Sequence, residues 1–160
     1  MNIELTSSAF GQGQQIPSKY TGLGQDVSPP FSWSGIPENT MELVLICEDP
    51  DAPSAEPWVH WVIYKIPANV TSLPEAIPFD KRLRNPPGAL QGKNSWPIGQ
   101  TIGYRGPFPP PGSGPHRYYF RLYALEAKLP VEAGLSKQTL LQEIEGHILA
   151  EADLMGTYER

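Results

Sequence analysis

Short apolar runs separated by turn-rich segments are the main pattern along the chain. Residues 43–48 (LVLICE), 58–66 (WVHWVIYKI) and 117–125 (RYYFRLYAL) have the length of strands and are rich in β-branched and aromatic residues. A shorter run of the same kind covers residues 31–33. These runs do not alternate with helical patterns, as the strands of a parallel sheet would, so the sequence predicts antiparallel pairing.

One segment near the C-terminus has helical periodicity. Ser136 is a favourable N-cap residue, and Gly156 is the expected end, with Gly146 as an interruption on the way. Apolar residues recur between them at helical spacing, at Leu140, Leu141, Ile144, Ile148 and Leu149. We therefore predict an all-β fold, an antiparallel β-sandwich with a C-terminal helix packed on it, and a single domain over residues 1–160.

Charge and composition exclude several classes of partner. The 160 residues carry a net charge of −5 and contain no run of Lys or Arg, which argues against nucleic-acid binding. No apolar run approaches the length of a membrane span, so stable membrane insertion is not expected. The N-terminus lacks a signal-peptide pattern, and the one cysteine, Cys47, is expected to be a buried apolar residue. We expect a cytoplasmic protein.

Polar side chains stand where the apolar runs begin or end. Asp49 and Asp51 follow the first run within the sequence DPDAP, His60 lies early in the second, and His116 precedes the third. If the first two runs pair antiparallel, Asp49 and His60 become neighbours across the ladder. Each feature alone has a commoner explanation, a solvated turn for the aspartates and a packed core position for a histidine.

Strand alternation predicts where the side chains of these segments point. It places His60 on one face with Val62 and Tyr64, and His116 on one face with Tyr118. Imidazolium, tyrosine hydroxyl and backbone N–H groups are the donors that an oxyanion requires. We expect the two histidines to act as cations, so that anion binding weakens as the pH rises. The third histidine, His147, is expected within the helix in a structural role.

The same segments resemble the phosphatidylethanolamine-binding protein family, in particular its bacterial and archaeal Raf kinase inhibitor-like branch. The similar stretches are DPDAP at residues 49–53, Trp-x-His-Trp at 58–61 and GPHRYYFRLYAL at 114–125. The resemblance also covers SPPFSWSGIP, GYRGPFPPPG and GHILAEADLMGTYER. It implies an antiparallel β-sandwich with an anion pocket at one end.

The resemblance also implies which residues bind the ligand. Carried over position by position, the pocket is formed by Asp49, Asp51, Pro53, His60, Gly106, Pro110, His116 and Tyr118, with Trp58 beside it. It further implies cis peptide bonds at Ala52–Pro53 and Glu56–Pro57. Prokaryotic relatives commonly carry a cysteine where this chain has Phe108, which leaves the shape of the rim open.

We interpret the chain as a non-catalytic binding module for small phosphate-type anions, without a cofactor. The ligand is a phosphoethanolamine-like headgroup or the phosphorylated group of a partner protein, and a regulatory, kinase-inhibitor-like role is compatible with either. The alternatives are a hydrolase of small phosphate or acyl esters, which lacks a G-x-S-x-G motif here, and a metal site of two histidines and one carboxylate. The oligomeric state is left open, a homodimer included.

Overall fold

The computed structural model describes residues 3–160, and these residues form eight strands in two antiparallel sheets with one short helix. The strands are β1 (Glu4–Thr6), β2 (Phe31–Ser34), β3 (Glu42–Asp49), β4 (Trp58–Pro67), β5 (Ser72–Leu73), β6 (Leu90–Gln91), β7 (His116–Leu125) and β8 (Ile148–Tyr158). The helix α1 (Lys137–Ile144) lies between β7 and β8, and a 3-10 turn covers Ser18–Tyr20. Within the described range, no helix has the length and apolar character needed to cross a membrane.

The predicted all-β antiparallel fold is confirmed, and the four predicted strands correspond to β2, β3, β4 and β7. The larger sheet has the strand order β6-β4-β3-β7-β8, and the smaller sheet has the order β1-β2-β5. β3 is central in the larger sheet and all eight of its residues are buried, which explains why residues 43–47 are apolar on both faces.

Two apolar layers hold the sheets in place. Between the sheets, Phe31 of β2 meets Phe120 of β7 with ring centroids 4.7 Å apart, and Trp61 and Cys47 are buried beside them. On the other face of the larger sheet, a second cluster forms under α1. Burying one such large side chain contributes about 1.5–3 kcal/mol, so these layers fix β3, β4 and β7, the strands that carry the polar residues singled out above.

The predicted helix is too long. Its start at Ser136 is confirmed, and Leu140 and Ile144 pack in the second cluster as expected. The helix ends at Ile144, however, and Gly146 adopts a φ of 83° that reverses the chain. Residues 148–158 then form β8, so the predicted helix end at Gly156 is wrong and Ile148 is 40% exposed. An antiparallel ladder with β7 along its whole length outweighs the local helical preference.

His147 is consequently not within a helix. It lies in the turn between α1 and β8, where its Nδ1 atom contacts the carboxylate of Glu126. Both side chains are substantially exposed, so His147 has a local, structural role on the surface.

The cap of α1 gives a first test of the fold. Ser136 Oγ accepts a hydrogen bond from the Thr139 amide at 3.1 Å. Ser136→Ala leaves that amide unpaired, and we expect the free energy of unfolding to fall by about 1 kcal/mol. Gln142→Ala on the exposed side of the same helix should change it by less than about 0.5 kcal/mol. Urea unfolding of the two variants measures both values, and equal losses would contradict the capping role.

Candidate functional site

A solvent-open pocket of about 290 Å³ lies at the end of the larger sheet where β3 ends and β4 and β7 begin. We call it the end pocket. Seven of the residues singled out from the sequence line it, namely Asp49, Pro53, Trp58, His60, Pro110, His116 and Tyr118. Five others complete the lining, namely Ala52, Ser54, Trp96, Phe108 and Pro109. Two of the singled-out residues, Asp51 and Gly106, lie outside the lining.

A β-bulge turns His60 into the end pocket. Cys47 pairs with Trp61 and the next residue, Glu48, pairs with Val59, so His60 is the extra residue on β4. Strict alternation had placed His60 on one face with Val62 and Tyr64, and this expectation is wrong. Those two residues pack in the cluster under α1, whereas the ring of His60 packs edge-on to Tyr118 and Trp96. Bulges commonly redirect a side chain in this way.

His60 is a neutral hydrogen-bond acceptor towards the pocket. Its Nδ1 atom lies 2.6 Å from the carbonyl oxygen of Arg105, which can only accept, so Nδ1 carries the proton. Burial lowers the pKa of His60 from 6.5 to about 4, against the opposing effect of this hydrogen bond. At neutral pH the Nε2 atom is therefore an unprotonated lone pair, and the expectation of a cationic His60 is wrong.

His116 and Asp49 form a buried pair across β7 and β3. The Nδ1 atom of His116 lies 2.7 Å from Asp49 Oδ2, and the two side chains are only 5% and 4% exposed. Asp49 Oδ1 accepts the Asp51 amide at 2.7 Å, which holds the carboxylate at the end of β3. The other ring nitrogen of His116, Nε2, lies 3.1 Å from Ser113 Oγ. Both carboxylate oxygens and both ring nitrogens are thus engaged.

The hydrogen bonds of Ser113 determine which atom donates in the contact between His116 Nε2 and Ser113 Oγ. Its hydroxyl has one proton, and Oγ lies 2.7 Å from the carbonyl oxygen of Pro110. When Ser113 donates to that carbonyl, His116 Nε2 must donate to Oγ. In that arrangement both ring nitrogens of His116 donate, Nδ1 to Asp49 and Nε2 to Ser113. An anion that displaces Ser113 Oγ from Nε2 would meet a hydrogen-bond donor there.

Asp51 has a different role from Asp49. It accepts two hydrogen bonds from the guanidinium of Arg117, both at 2.9 Å, and a third from the Arg117 amide at 2.8 Å. The bonds to the Arg117 side chain lower the pKa of Asp51. Asp51 therefore ties the turn after β3 to the start of β7 and directs its carboxylate away from the end pocket.

Gly106 also acts from outside the lining. Its backbone passes the Tyr20 carbonyl so closely that a Cβ atom on residue 106 would lie 2.0 Å from that oxygen. Its amide donates to Asp26 Oδ1 at 2.7 Å. Gly106 is thus needed for a close backbone approach that positions the proline-rich segment after it, which forms one wall of the pocket.

Aromatic rings form most of the pocket wall. Trp58 and Trp96 pack edge to face with ring centroids 5.4 Å apart, and the Arg105 guanidinium lies 4.6 Å from the Trp96 ring centroid. On the other side, Phe108 lies under the guanidinium of Arg160, 4.2 Å from its ring centroid, and packs against Gly22. Phe108 therefore forms a well-supported part of the rim.

Tyr118 supplies a hydroxyl at the pocket. Its side chain is buried and lines the pocket. Burial, followed by the charge of Asp49, raises the pKa of Tyr118 well above its usual range, so the hydroxyl keeps its proton. Sequence reasoning found this residue but missed Trp96, because Trp96 lies in an irregular segment without periodicity.

The expected cis bonds are absent from the turn beside the pocket. Ala52–Pro53 and Glu56–Pro57 are trans, and within residues 3–160 the cis peptide bond is Asn85–Pro86. The turn bends by local hydrogen bonds instead, from the Ser54 amide to the Ala52 carbonyl at 2.8 Å and from Ser54 Oγ to the Glu56 carbonyl at 2.6 Å. The trans form is the lower in free energy for most X–Pro bonds.

The proposed metal alternative does not have the required geometry. Among residues 3–160, no three side chains of His, Cys, Asp or Glu lie close enough together to share an ion. His60 Nδ1 and His116 Nδ1 donate to a carbonyl and a carboxylate, respectively. A two-histidine, one-carboxylate site would need nitrogen lone pairs directed at one point.

The lowered pKa of His60 predicts an acid-sensitive fold. In the unfolded chain the imidazole binds a proton as the pH falls through about 6.5, whereas the folded state does not until about pH 4. The contribution of His60 to stability is therefore fully present above pH 6.5 and is lost as the pH falls. We expect the free energy of unfolding to fall by about 1.5 kcal/mol between pH 6.5 and 5 on account of this group.

His60→Gln serves as the comparison for this pH dependence, because it removes the titrating group and retains His116 and His147. Urea unfolding at several pH values gives both slopes. A slope in His60→Gln as steep as in the parent protein would show that His60 is not the group responsible.

Comparison with known proteins gives a consistent result. A sequence model of the phosphatidylethanolamine-binding protein family matches residues 6–159. A UPF0098 protein from Methanothermobacter thermautotrophicus is 50% identical over 158 residues, which cover 99% of each chain. Among solved structures, the Chlamydia trachomatis protein CT736 matches with a TM-score of 0.87 at 42% identity, covering 99% of this chain and 98% of its own. Escherichia coli YbcL matches with a TM-score of 0.89 at 32% identity, covering 100% of this chain and 99% of its own.

Proposed function

The chain belongs to the phosphatidylethanolamine-binding protein family, and we propose from this premise that the end pocket binds small phosphate-type anions without catalysing their conversion. The observation that carries the proposal is the buried His116–Asp49 pair at a solvent-open pocket. The carboxylate accepts from Nδ1 and fixes the orientation of the imidazole, which holds Nε2 in place as a donor for an oxyanion.

Local donors matter because the chain as a whole repels anions. The net charge is −5, so an approaching phosphate gains nothing from the overall field. The donors that support binding are His116 Nε2 and the Tyr118 hydroxyl, both from residues that line the pocket. Aromatic and proline side chains around them limit competition from water, which strengthens each of these hydrogen bonds.

The same donors would serve a free phosphorylated metabolite or a phosphorylated side chain of another protein. The second case is the basis for a regulatory, kinase-inhibitor-like role. The pocket is open to solvent, so a phosphorylated side chain that projects from the surface of a partner protein could reach it. This openness supports the regulatory role.

Replacement of His116 tests the proposal. Calorimetric titration of the parent protein with O-phosphoethanolamine should give one site per chain. In His116→Ala the affinity should fall by about 10- to 150-fold, which is the range of one charge-assisted hydrogen bond. His147→Ala removes a histidine outside the pocket and should leave the affinity unchanged. Absence of binding to the parent protein, or equal affinity in all three proteins, would refute the proposal.

One observation favours hydrolysis of small esters as a second candidate function. Ser113 Oγ, His116 Nε2 and Asp49 Oδ2 follow one another with contacts of 3.1 and 2.7 Å, the order of groups in serine hydrolases. The Ser113 proton, however, has an alternative acceptor in Pro110. Covalent labelling of Ser113 by a fluorophosphonate, lost in His116→Ala, would support this function, and failure to label would remove it.

A further inference from the structure

The His60 Nε2 atom opens into the end pocket. Among residues 3–160 the ring hydrogen bonds through Nδ1 to the Arg105 carbonyl at 2.6 Å, and the Gly106 backbone also interacts with the ring. Among the described residues, Thr40 Oγ1 is the one side-chain nitrogen or oxygen atom that is buried and has no hydrogen-bond partner. The Nε2 atom of His60 is therefore not enclosed and unpaired. Since His60 lines the pocket, its Nε2 atom is accessible from there.

The protonation of His60 is fixed by the protein. The Arg105 carbonyl requires a proton on Nδ1 at 2.6 Å, so a change of tautomer would place two lone pairs against each other. The ring packs edge-on to Trp96 and Tyr118, with centroids 5.1 and 5.2 Å away, which restrains it from turning over. The pocket therefore presents a fixed acceptor beside the donors Tyr118 and His116.

A fully deprotonated oxyanion does not match this set of groups. Sulfate oxygens can only accept, so one of them would face the Nε2 lone pair without a hydrogen bond. A buried polar group left unpaired costs about 1–3 kcal/mol. A phosphate group that keeps one proton has an O–H that can donate to Nε2 while its other oxygens accept from the donors opposite.

We propose that the end pocket selects ligands that carry a proton on an oxygen, which can be donated to His60 Nε2. It would therefore bind phosphomonoesters as the monoanion in preference to sulfate esters and phosphodiesters. The inference rests on the proposed function and names its ligand class. It also distinguishes two sources of phosphate. The headgroup of a membrane phospholipid is a diester without a P–O–H group, whereas a phosphorylated metabolite or side chain is a monoester that has one.

Three ligands of similar size test this preference, namely methyl phosphate, methyl sulfate and dimethyl phosphate. Below the second pKa of a phosphomonoester, about 6, all three are predominantly monoanions and only methyl phosphate carries an O–H group. None contains an amine that could donate in its place. Calorimetry with the unmodified protein at about pH 5.5 should show methyl phosphate binding at least about tenfold more tightly than either of the others.

A variant assigns the preference to His60. The side-chain amide of His60→Gln can turn either its oxygen or its NH₂ group towards the ligand, so the preference should fall to about threefold or less. His147→Gln, which makes the same substitution outside the pocket, should keep the preference of the parent protein.

The outcomes separate this inference from the proposed function. If methyl sulfate or dimethyl phosphate binds the unmodified protein as tightly as methyl phosphate, the inference is overturned and anion binding in the pocket stands. If none of the three binds, both are overturned. The titrations with unmodified protein decide between these outcomes even if His60→Gln does not fold.

Discussion

Replacement of Asp49 by Ala should lower the free energy of unfolding by about 3 kcal/mol, the upper range for leaving a buried hydrogen-bond donor without its acceptor. Asp49 and His116 are almost completely buried and meet at 2.7 Å. Without the carboxylate, the imidazole loses its acceptor at Nδ1. The Asp51 amide loses its acceptor as well. We therefore expect anion binding to be lost together with stability.

Asp51→Ala provides the control, because this neighbouring carboxylate pairs with Arg117, whose side chain is 51% exposed. Exposed pairs contribute little, so its loss should be far smaller than that of Asp49→Ala. The double variant Asp49→Ala/His116→Ala should be less destabilised than the sum of its single variants, since the two residues act as one pair. Urea unfolding measures the parent protein and the four variants, and additive losses would show that the pair is not coupled.

Gly106→Ala should destabilise the protein by about 4 kcal/mol or more, a loss that is exceptional for a single methyl group. The added Cβ would lie 2.0 Å from the Tyr20 carbonyl oxygen and 2.9 Å from Thr21 Cα, both backbone atoms that cannot turn aside. The backbone must therefore separate, which also strains the hydrogen bond from the Gly106 amide to Asp26. The wall formed by Phe108, Pro109 and Pro110 would shift with it.

Gly11→Ala is the matched control for this substitution. At residue 11 the nearest neighbour of an added Cβ is Gln14 Oε1 at 3.0 Å, the end of a flexible side chain that can move. We expect a small change there. Thermal unfolding of both variants measures the difference, and a Gly106→Ala protein as stable as Gly11→Ala would contradict the close approach of the two backbone segments.

The main strands could be predicted from the sequence because their signal is local. β3, β4 and β7 are continuous runs of apolar and β-branched residues that end at turn residues. β8 could not be recognised in the same way. Ile148 and Leu149 fit the helical spacing of the residues before them, and only pairing with β7 decides that they belong to a strand.

The sequence predicts most of the residues that form the site, but it does not predict their orientation or their charge. Position in the sequence places His60 and Asp49 near each other, but the bulge that redirects His60 depends on the cross-strand register of β3 and β4. The neutral state of His60 depends on the Arg105 carbonyl, 45 residues away. Asp49 and Asp51 are equivalent in the sequence, and Arg117 separates their roles by taking Asp51 out of the pocket.

Nitrogen NMR of the three histidine rings tests anion binding at the end pocket most directly. With ¹⁵N-labelled protein at neutral pH, His60 should show a protonated Nδ1 and an unprotonated Nε2. Addition of O-phosphoethanolamine should shift the Nε2 resonances of both His60 and His116, and His147, far from the pocket lining, should not respond. Rings of His60 and His116 that remain unchanged at saturating ligand, or shifts no larger than those of His147, would contradict binding at this site.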